Sequence, residues 1–344
     1  VLANSYIDLN PSYDESQNAY PIRISVKEGT DMTSLAPIFE LTPGATISPA
    51  SGSVQNFTTP VRYTVTSEDK AWHRVYAITA REQKASNIPT TYHFEKVRIM
   101  QNVWQEFYEE QDSGNELTWA SGNKGFKWAM SEAATEDYPT TQIDNGKTGK
   151  CVKLETRLTG DLGNMVGMPI AAGNLFIGSF DMLNAITNPL SATRFGTPFY
   201  NKPLRLTGYY KYKAGEQFYE NGEYTSRKDI FNIYAIFYDG VKYDSAGKGT
   251  DVTLDGNLPN QNYEHSSMVA LALVSNPQET EGDEWKFFDI PFDYQRYGKK
   301  IDEARLAKGE YKIGIIFASS KDGATFEGAP GSTLLIDEVE LIYE

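Results

Sequence analysis

Residues 311–344 read YKIGIIFASSKDGATFEGAPGSTLLIDEVELIYE, and this stretch decides the fold class. Residues 311–318 are rich in β-branched and aromatic side chains, and residues 332–343 set acidic side chains between apolar ones, so both segments predict β-strands. Such a chain end closes a β-sandwich. The connecting loop, residues 319–331 with Asp322, is longer than the roughly 12 residues above which unstructured loops are often functional. We therefore expect a ligand site near this loop.

Length and charge narrow the classes of protein that this chain can be. A chain of 344 residues can bury at least one full core and favours two domains over one. The 32 Lys and Arg residues against 46 Asp and Glu give a net charge of −14. Because phosphate contacts need clustered positive charge, nucleic acid is excluded as an expected partner. No apolar run approaches the roughly 18 residues of a membrane-spanning helix.

The single cysteine predicts a structural thiol, and the first residue indicates an upstream segment. Cys151 cannot form an intrachain disulfide, and it lies in a strand pattern, which predicts a buried structural thiol. Val1 is not a methionine, and the following residues already resemble folded-domain sequence. We therefore expect an upstream segment, such as a secretion signal, in the full protein.

The sequence pattern changes near Arg81, which indicates a boundary between two domains. Before it, short β-patterned runs such as VRYTVT at residues 61–66 alternate with turn formers, which predicts an immunoglobulin-like β-sandwich over residues 1–83 without its usual disulfide. Residues 84–91 are polar and read as a linker. Residues 92–344 hold at least eight strand patterns with long connections and one short helix pattern at 301–308, which predicts a β-jelly-roll. The fold class is all-β.

Two resemblances to known families follow from these segments. The residues PGATISPASGS and FTTPVRYTVTSEDKAWHRVYAITA resemble the immunoglobulin-like modules on surface proteins of gut Gram-negative bacteria. Nearly all of the second domain resembles the "putative carbohydrate metabolism domain" family. Six segments carry this likeness in order: WASGNKGF (119–126), GKCVKLETR (149–157), GMPIAAGNLFIGSF (167–180), TRFGTPF (193–199), LTGYYKYKAGE (206–216) and SSKDGATFEGAPGSTLLIDEVEL (319–341).

The second resemblance implies a function without a reaction. Members of that family are typically exported lipoproteins of polysaccharide-using bacteria. The resemblance therefore implies that this chain binds an oligo- or polysaccharide. It also implies a surface or periplasmic location, an outer-membrane lipid anchor upstream of these residues, and other surface glycan-uptake proteins as partners. No established activity comes with the family.

A charged strand face is the first candidate site. In CVKLETRL the alternation places Lys153, Glu155 and Arg157 on one face and the apolar side chains on the other. A solvated outer face with paired charges would show the same pattern. Sugar sites in jelly rolls lie on a concave sheet face, however, and this row supplies the donors and acceptors that hydroxyl groups need. We predict these three residues, with Asp322 of the closing loop, as ligand contacts.

Aromatic residues add the second part of the predicted site. Tyrosine and tryptophan offer a sugar ring an apolar face and a polar tip. We therefore predict Trp119, Tyr210, Lys211 and Tyr234 as ligand contacts. The alternative is structural, because tyrosine is a good strand residue and the chain has 22 of them.

Metal binding has weak support in the sequence, and no cofactor is predicted. YHFEKV near the start of the second domain and LLIDEVEL at its end resemble carbohydrate-binding jelly rolls whose first and last strands hold calcium. Glu95 and Asp337 could supply oxygen ligands to a structural calcium ion. The three histidines, His73, His93 and His265, show no zinc-type spacing.

Three functional hypotheses remain open from the sequence. Glycoside hydrolysis needs two carboxyl groups about 5 to 9 Å apart. Glu155 is the catalytic candidate, because Lys153 and Arg157 favour its charged form, which suits a nucleophile or base. No acid partner is visible, so a glycan-binding protein is favoured over a glycoside hydrolase that uses the same site. The third hypothesis is a structural or adhesive surface module.

Overall fold

The computed structural model describes residues 11–83, 85–111, 114 and 116–344. Contacts divide the chain between Ala85 and Ser86 into two compact units, with residues 342–344 grouped with the first. This division falls inside the segment predicted as a linker. Within the described residues, no helix is long and apolar enough to cross a membrane.

The first unit contains a four-stranded sheet. Its strands are β1 (Tyr20–Lys27), β2 (Thr46–Ser48), β3 (Val61–Thr66) and β4 (His73–Gln83), in the order β1-β4-β3-β2. Strand β1 runs parallel to β4, and the other pairs are antiparallel. Phe57, from the connection between β2 and β3, packs with Ile24, Tyr63 and Ile78. This connection therefore covers one face of the sheet and gives the unit its own apolar core.

The second unit contains many short strands and four short helices. The strands are β5 (Thr91–Tyr92), β6 (Val97–Met100), β7 (Trp104–Glu110), β8 (Glu116–Thr118), β9 (Thr140–Asp144), β10 (Lys150–Glu155), β11 (Arg157–Leu158), β12 (Ile170–Ala171), β13 (Asn174–Phe176), β14 (Gly178–Phe180), β15 (Thr193–Phe195), β16 (Thr197–Pro198), β17 (Pro203–Lys213), β18 (Phe218–Glu220), β19 (Glu223–Thr225), β20 (Asn232–Asp239), β21 (Val241–Tyr243), β22 (Gly249–Asp251), β23 (Leu254–Asp255), β24 (Met268–Leu273), β25 (Lys286–Pro291), β26 (Tyr311–Ala318) and β27 (Thr333–Tyr343). The α-helices are α1 (Asn123–Ala129), α2 (Gly160–Met165), α3 (Met182–Thr187) and α4 (Glu303–Ala307), and the 3₁₀ helices are Thr135–Asp137, Pro189–Ser191, Pro259–Gln261 and Gly323–Thr325.

Two sheets form the centre of this unit. One has the order β25-β17-β27-β10-β9 with β5 added to β27, and the other has the order β13-β26-β20-β24 with β16 added to β26. Tyr210 of β17 lies 4.7 Å from Phe231, the residue before β20, so the inner faces meet across an aromatic core. The closing strands of the sequence, β26 and β27, occupy central positions in different sheets. The prediction of an all-β sandwich is confirmed.

The five-stranded sheet is covered on both faces. All residues of β20 except Asp239 are buried, as are five of the six in β24. A second apolar cluster lies against this sheet and includes Phe195, Tyr234 and Tyr263. Because β20 is a central strand with both faces buried, it reads as a nearly continuous apolar run rather than as an alternating one.

The helices differ from the sequence prediction in number. Helix α4 lies within the predicted segment, and the side chain of its N-cap Asp302 accepts hydrogen bonds from the amides of Ala304 and Arg305 at 2.9 and 3.1 Å. Helices α1, α2 and α3 are only six or seven residues long. Such lengths are too short to show a helical period, which explains why the sequence did not predict them.

Candidate functional site

Helix α1 forms one wall of a cleft beside the six-stranded sheet. Its first residue, Asn123, is fully buried and fixes the helix to β9: the side-chain amide donates to the carbonyl oxygen of Thr140 at 2.7 Å and accepts from the Thr140 amide at 3.1 Å. Gly125 faces the ring of Phe180, where an added Cβ would lie 3.2 Å from the ring. These contacts hold α1 close to neighbouring elements and orient Phe126 toward the cleft.

The cleft has a volume of about 730 Å³ and opens to solvent. Its walls combine side chains of α1, the strand end at β10 and β11, and the end of the closing loop. The lining residues are Phe126, Ala129, Met130, Ser131, Glu132, Ala133, Asp137, Glu155, Thr156, Arg157, Leu158, Pro330 and Gly331. A cleft with apolar side chains and a few charged ones is typical of a small-molecule or glycan site.

An ion-paired row contributes Glu155, Arg157 and Asp137 to the wall of this cleft, and Lys153 lies beside it. Lys153 Nζ lies 2.9 Å from Glu155 Oε2, and Arg157 Nε lies 3.1 Å from Glu155 Oε1 without the alignment of a hydrogen bond. The same guanidinium lies 3.9 Å from Asp137 Oδ1. Glu155 is therefore held between two cations. The row presents fixed donors and acceptors in the partly buried setting where they bind hydroxyl groups well.

The closing loop is anchored beneath the site by Asp229, which is 2% exposed. Asp229 Oδ2 accepts hydrogen bonds from the Ser320 hydroxyl at 2.6 Å, the Ser332 hydroxyl at 2.7 Å and the Ala329 amide at 2.8 Å. Burial raises the pKa of this carboxyl, and these hydrogen bonds oppose the shift. The carboxylate thus ties both ends of the loop to one point.

A second cavity adjoins the cleft and shares Phe126 and Ala129 with it. Its volume is about 130 Å³, and its walls are mainly apolar. Residues from α1 and α3, from the end of β14, from the segment before β12 and from the closing loop line it, among them Trp128, Met168, Phe180, Met182, Ala324 and Phe326. We call it the apolar pocket.

Comparisons with known proteins show the family of the chain. The model of the family described as "Putative carbohydrate metabolism domain" matches residues 93–342. The chain belongs to this family. A second family, described as "SGBP, N-terminal", matches residues 8–80, and SGBP denotes a surface glycan-binding protein. Both matches agree with the family resemblances of the sequence.

Two solved structures of related proteins are similar along most of their length. A "putative glycoside hydrolase" from Bacteroides vulgatus ATCC 8482 is 50% identical, with a TM-score of 0.70 over 76% of this chain and 100% of the other. A "putative glycoside hydrolase" from Bacteroides thetaiotaomicron VPI-5482 is 44% identical, with a TM-score of 0.67 over 100% of this chain and 94% of the other. None of the curated proteins matches this chain.

Three aromatic residues predicted as ligand contacts lie in the interior of the carbohydrate metabolism domain. Trp119, Tyr210 and Tyr234 are each no more than 2% exposed. Trp119 packs between Tyr92 and Phe317, with ring centroids 5.1 and 5.9 Å away. The assignment of these three residues to a sugar platform is therefore wrong as it stands, because a buried ring offers no free face for stacking.

The physical reason differs between the two tyrosines. On β17 the side chains alternate: Tyr210 points into the core, and Tyr209 points outward, where it pairs with the exposed Phe287 at a centroid distance of 5.2 Å. Tyr234 is on the outer face of β20, which the second apolar cluster covers. The side of a strand that remains open depends on what packs over it, and a period of two does not show this.

Lys211 and Asp322 form ion pairs with residues outside the ion-paired row. Lys211 Nζ contacts Asp283 Oδ1 at 2.5 Å and lies 5.0 Å from the Trp285 ring. Asp322 pairs with Arg227 and precedes the 3₁₀ turn that borders the apolar pocket. Of the predicted residues, the structure brings together Lys153, Glu155 and Arg157. Their role in binding stays a prediction.

The sequence did not single out Phe126, Asp137 or Asp229. Phe126 lies within WASGNKGF, a segment that carries the family resemblance, so a signal for this wall was present. Asp229 had no local signal, because the loop residues that donate to its Oδ2 are about 90 to 100 residues away in sequence. Cys151, predicted as a buried thiol, is fully buried, and burial raises its pKa to about 12.

The two carboxylates of the calcium hypothesis have backbone partners. Glu95 Oε1 accepts a hydrogen bond from the Lys150 amide at 2.8 Å, and Asp337 Oδ2 accepts one from the Thr148 amide at 3.0 Å. Burial raises the pKa of Asp337 to about 6. Among residues 11–83, 85–111, 114 and 116–344, no group of three or more His, Cys, Asp and Glu side chains is placed to hold a metal. Both carboxylates therefore act on the turn between β9 and β10.

This arrangement predicts a hairpin anchor that works without calcium. Asp337→Ala removes the acceptor of two partly buried amides, those of Thr148 and Glu338, and we expect it to lower the free energy of unfolding by about 2 kcal/mol. Asp144→Ala, an exposed carboxyl in the same hairpin, is the matched control and is expected to change it by less than about 0.5 kcal/mol. Thermal unfolding of the purified chain with 5 mM calcium, taken as roughly saturating for a site of extracellular type, should show no stabilisation. A rise in Tm that disappears in Asp337→Ala would establish a calcium site instead.

Proposed function

We propose that the chain is a glycan-binding protein and that the cleft between α1 and the β10–β11 strand end receives the ligand. The observation that carries this proposal is the ion-paired row of Lys153, Glu155, Arg157 and Asp137, of which Glu155, Arg157 and Asp137 lie on the wall of an open cleft. Met130 and the exposed Leu158 supply apolar surface beside this row. Sugar rings combine hydroxyl groups with apolar C–H faces, and this cleft offers partners to both.

The proposal extends to the cell surface. The match of residues 8–80 to the SGBP N-terminal family supports an exported protein of a polysaccharide-using bacterium, held at the outer membrane by a lipid anchor upstream of these residues. The first unit would then act as a spacer for the carbohydrate metabolism domain. Other glycan-uptake proteins at that surface are the proposed partners.

A glycoside hydrolase is the second candidate, because the cleft contains more than one carboxyl group. Asp137, Glu132 and Glu155 all line it. The two related crystal structures are of proteins described as "putative glycoside hydrolase", which supports the same alternative. Glu155 would be the nucleophile or base, and Glu132, which does not contact Arg157 in the ion-paired row, would be the first acid to test.

Binding to a panel of plant, host-mucin and microbial polysaccharides tests the first candidate. We expect Glu155→Gln to weaken binding at least fivefold, because it keeps the shape of the side chain but removes the charge that orders Lys153 and Arg157. Glu223→Gln, on the exposed strand β19, is the matched control and should bind like the wild type.

Product release in the same samples separates the alternatives. Sugars released by the wild type and not by Glu155→Gln would make the chain a hydrolase. Binding that is equal in both proteins would move the site away from this cleft. A folded chain that binds no glycan of the panel would support the third hypothesis, a structural surface module.

A further inference from the structure

We infer that the apolar pocket beside the cleft binds an aromatic ring, and that the glycan ligand carries this ring as an aromatic acyl ester. The inference rests on the proposed function for its glycan part. The pocket itself can be tested without any glycan.

The walls of the pocket have few groups left for sugar hydroxyls. Asn174 Oδ1 accepts the Gly122 amide at 2.8 Å, and its NH₂ group donates to the Ala172 carbonyl at 3.2 Å. The Thr159 hydroxyl donates to the Met168 carbonyl. Of the residues that line the pocket, Thr193 has a buried hydroxyl without a hydrogen-bond partner in the part of the chain that the structure describes. A hydroxylated sugar ring in this pocket would leave most of its polar groups unpaired, which is costly.

The volume of the apolar pocket indicates the size of the ligand group that fits it. A dry engineered cavity of about 150 Å³, lined by Leu, Ile and Phe, binds benzene. The pocket here is about 130 Å³. A methyl or acetyl group would leave much of this space empty and lose contacts with the far wall. A six-membered aromatic ring matches the space.

The lining favours an aromatic ring over an aliphatic chain. Four aromatic side chains (Phe126, Trp128, Phe180 and Phe326) and two methionines (Met168 and Met182) contribute to the walls. Aromatic rings attract one another edge to face, and the methionine sulfur makes favourable contacts with ring edges. Small residues, among them Gly125 and Ala185, fill the remaining positions and leave a slot between the larger side chains.

The position of the pocket links it to the cleft. Phe126 and Ala129 line both cavities, so the two cavities are neighbours on α1 and a ligand in the cleft need only extend past these two residues to reach the pocket. Trp128 is 37% exposed and also lines the pocket, which places an aromatic side chain between the pocket and solvent. Four of the six segments that carry the family resemblance contribute lining residues: 119–126, 167–180, 193–199 and 319–341. A sugar in the cleft could thus place an ester-linked ring in the pocket.

Benzene alone tests the pocket. We expect the wild type to bind benzene, read from shifts of the Met168 and Met182 methyl resonances, and Ala185→Leu to weaken this binding at least tenfold by filling the cavity. Ala324→Leu, from the closing loop, should act in the same way. Ala304→Leu on the exposed face of α4 is the matched control and should leave the affinity unchanged. Absence of benzene binding, or benzene binding that is unchanged in both filling variants, would contradict the proposal that the apolar pocket binds an aromatic ring.

A feruloylated arabinoxylan oligosaccharide and the same oligosaccharide after saponification test the glycan part. We expect the wild type to bind the ester at least fivefold more tightly, and Ala185→Leu to lose this preference while it still binds the saponified form. Equal binding of the two forms by the wild type would overturn the aromatic ester and leave the proposed function standing. Benzene binding without binding of either oligosaccharide would support the pocket and count against both the ester and glycan binding in this cleft.

Discussion

Asp229→Ala is expected to lower the free energy of unfolding by about 3 kcal/mol, because it removes the shared acceptor of the closing loop. The Ala329 amide donates to Asp229 Oδ2 and the Ile230 amide donates to Oδ1 at 2.9 Å. Buried donors left without an acceptor cost about 1 to 3 kcal/mol each, and the serine hydroxyls can recover part of this by rotation. Asp229→Asn should cost less, since one side-chain oxygen can still accept.

The measurement is urea denaturation together with hydrogen exchange at the Ala329 and Ile230 amides. These amides should exchange much faster in Asp229→Ala than in the wild type, because their acceptor is gone. Asp161→Ala, an exposed carboxyl of α2, is the matched control and should change the stability by less than about 0.5 kcal/mol. Equal stability and equal exchange in Asp229→Ala would show that the loop is held by other contacts.

Asp229→Ala should also weaken ligand binding at the candidate site. The loop contributes Pro330 and Gly331 to the cleft and Gly323 and Ala324 to the apolar pocket. Loss of the anchor therefore loosens walls of both cavities, and we expect Asp229→Ala to weaken ligand binding even at temperatures where the chain remains folded.

Glu109→Gln is expected to raise the free energy of unfolding above pH 7 by about 2 to 3 kcal/mol. Burial raises the pKa of Glu109 from 4.5 to about 7, and the hydrogen bond that it accepts from the Phe94 amide at 2.8 Å lowers it only in part. Each pKa unit corresponds to about 1.4 kcal/mol between the two protonation states. Glutamine resembles the protonated acid and keeps an oxygen for the Phe94 amide.

The sign of the pH dependence follows from proton binding. Between pH 4.5 and about 7 the folded chain holds a proton on Glu109 that the unfolded chain has released. The contribution of Glu109 to stability is therefore full below pH 4.5 and is lost as the pH rises to about 7. In Glu109→Gln this loss should be absent.

The free energy of unfolding of both proteins should be measured by chemical denaturation at roughly pH 4, 5, 6, 7 and 8. These values bracket the rise of the Glu109 pKa from 4.5 to about 7. Glu110→Gln, the exposed neighbour on β7, is the matched control and should keep the wild-type dependence. Parallel curves for Glu109→Gln and the wild type would contradict a protonated Glu109 in the folded state. Phe94, with a φ of 55°, lies in a backbone region that is unfavourable for a non-glycine residue, and the hydrogen bond to Glu109 helps to hold it there.

The charged part of the candidate site could be predicted because it is local in sequence. Lys153, Glu155 and Arg157 alternate on one strand, so a period of two is enough to place them on one face. The aromatic part could not be predicted in this way. Tyr210 and Tyr234 follow the same period as exposed residues would, and they are buried because another sheet or a loop cluster packs over them.

The sequence did not predict α1 because this helix is short, contains a glycine and lacks a side-chain cap. The helix has seven residues, Gly125 in its middle and no side-chain cap at Gly122. Its propensity alone does not favour a helix. It forms because the buried side chain of Asn123 bonds to β9 and because the glycines let β13 and β14 approach closely.

The sequence by itself determined the all-β class, the strands that close the sandwich, the buried thiol of Cys151 and the family of the chain, since these depend on local alternation and on ordered motifs. The tertiary structure alone decided which strand faces stay open, how Asp229 holds the closing loop, and that α1 and this loop enclose a cleft and an apolar pocket. The physical reason is that burial and hydrogen bonding between residues more than 90 positions apart are properties of packed surfaces. Local side-chain order carries no information about which distant surface will cover a given face.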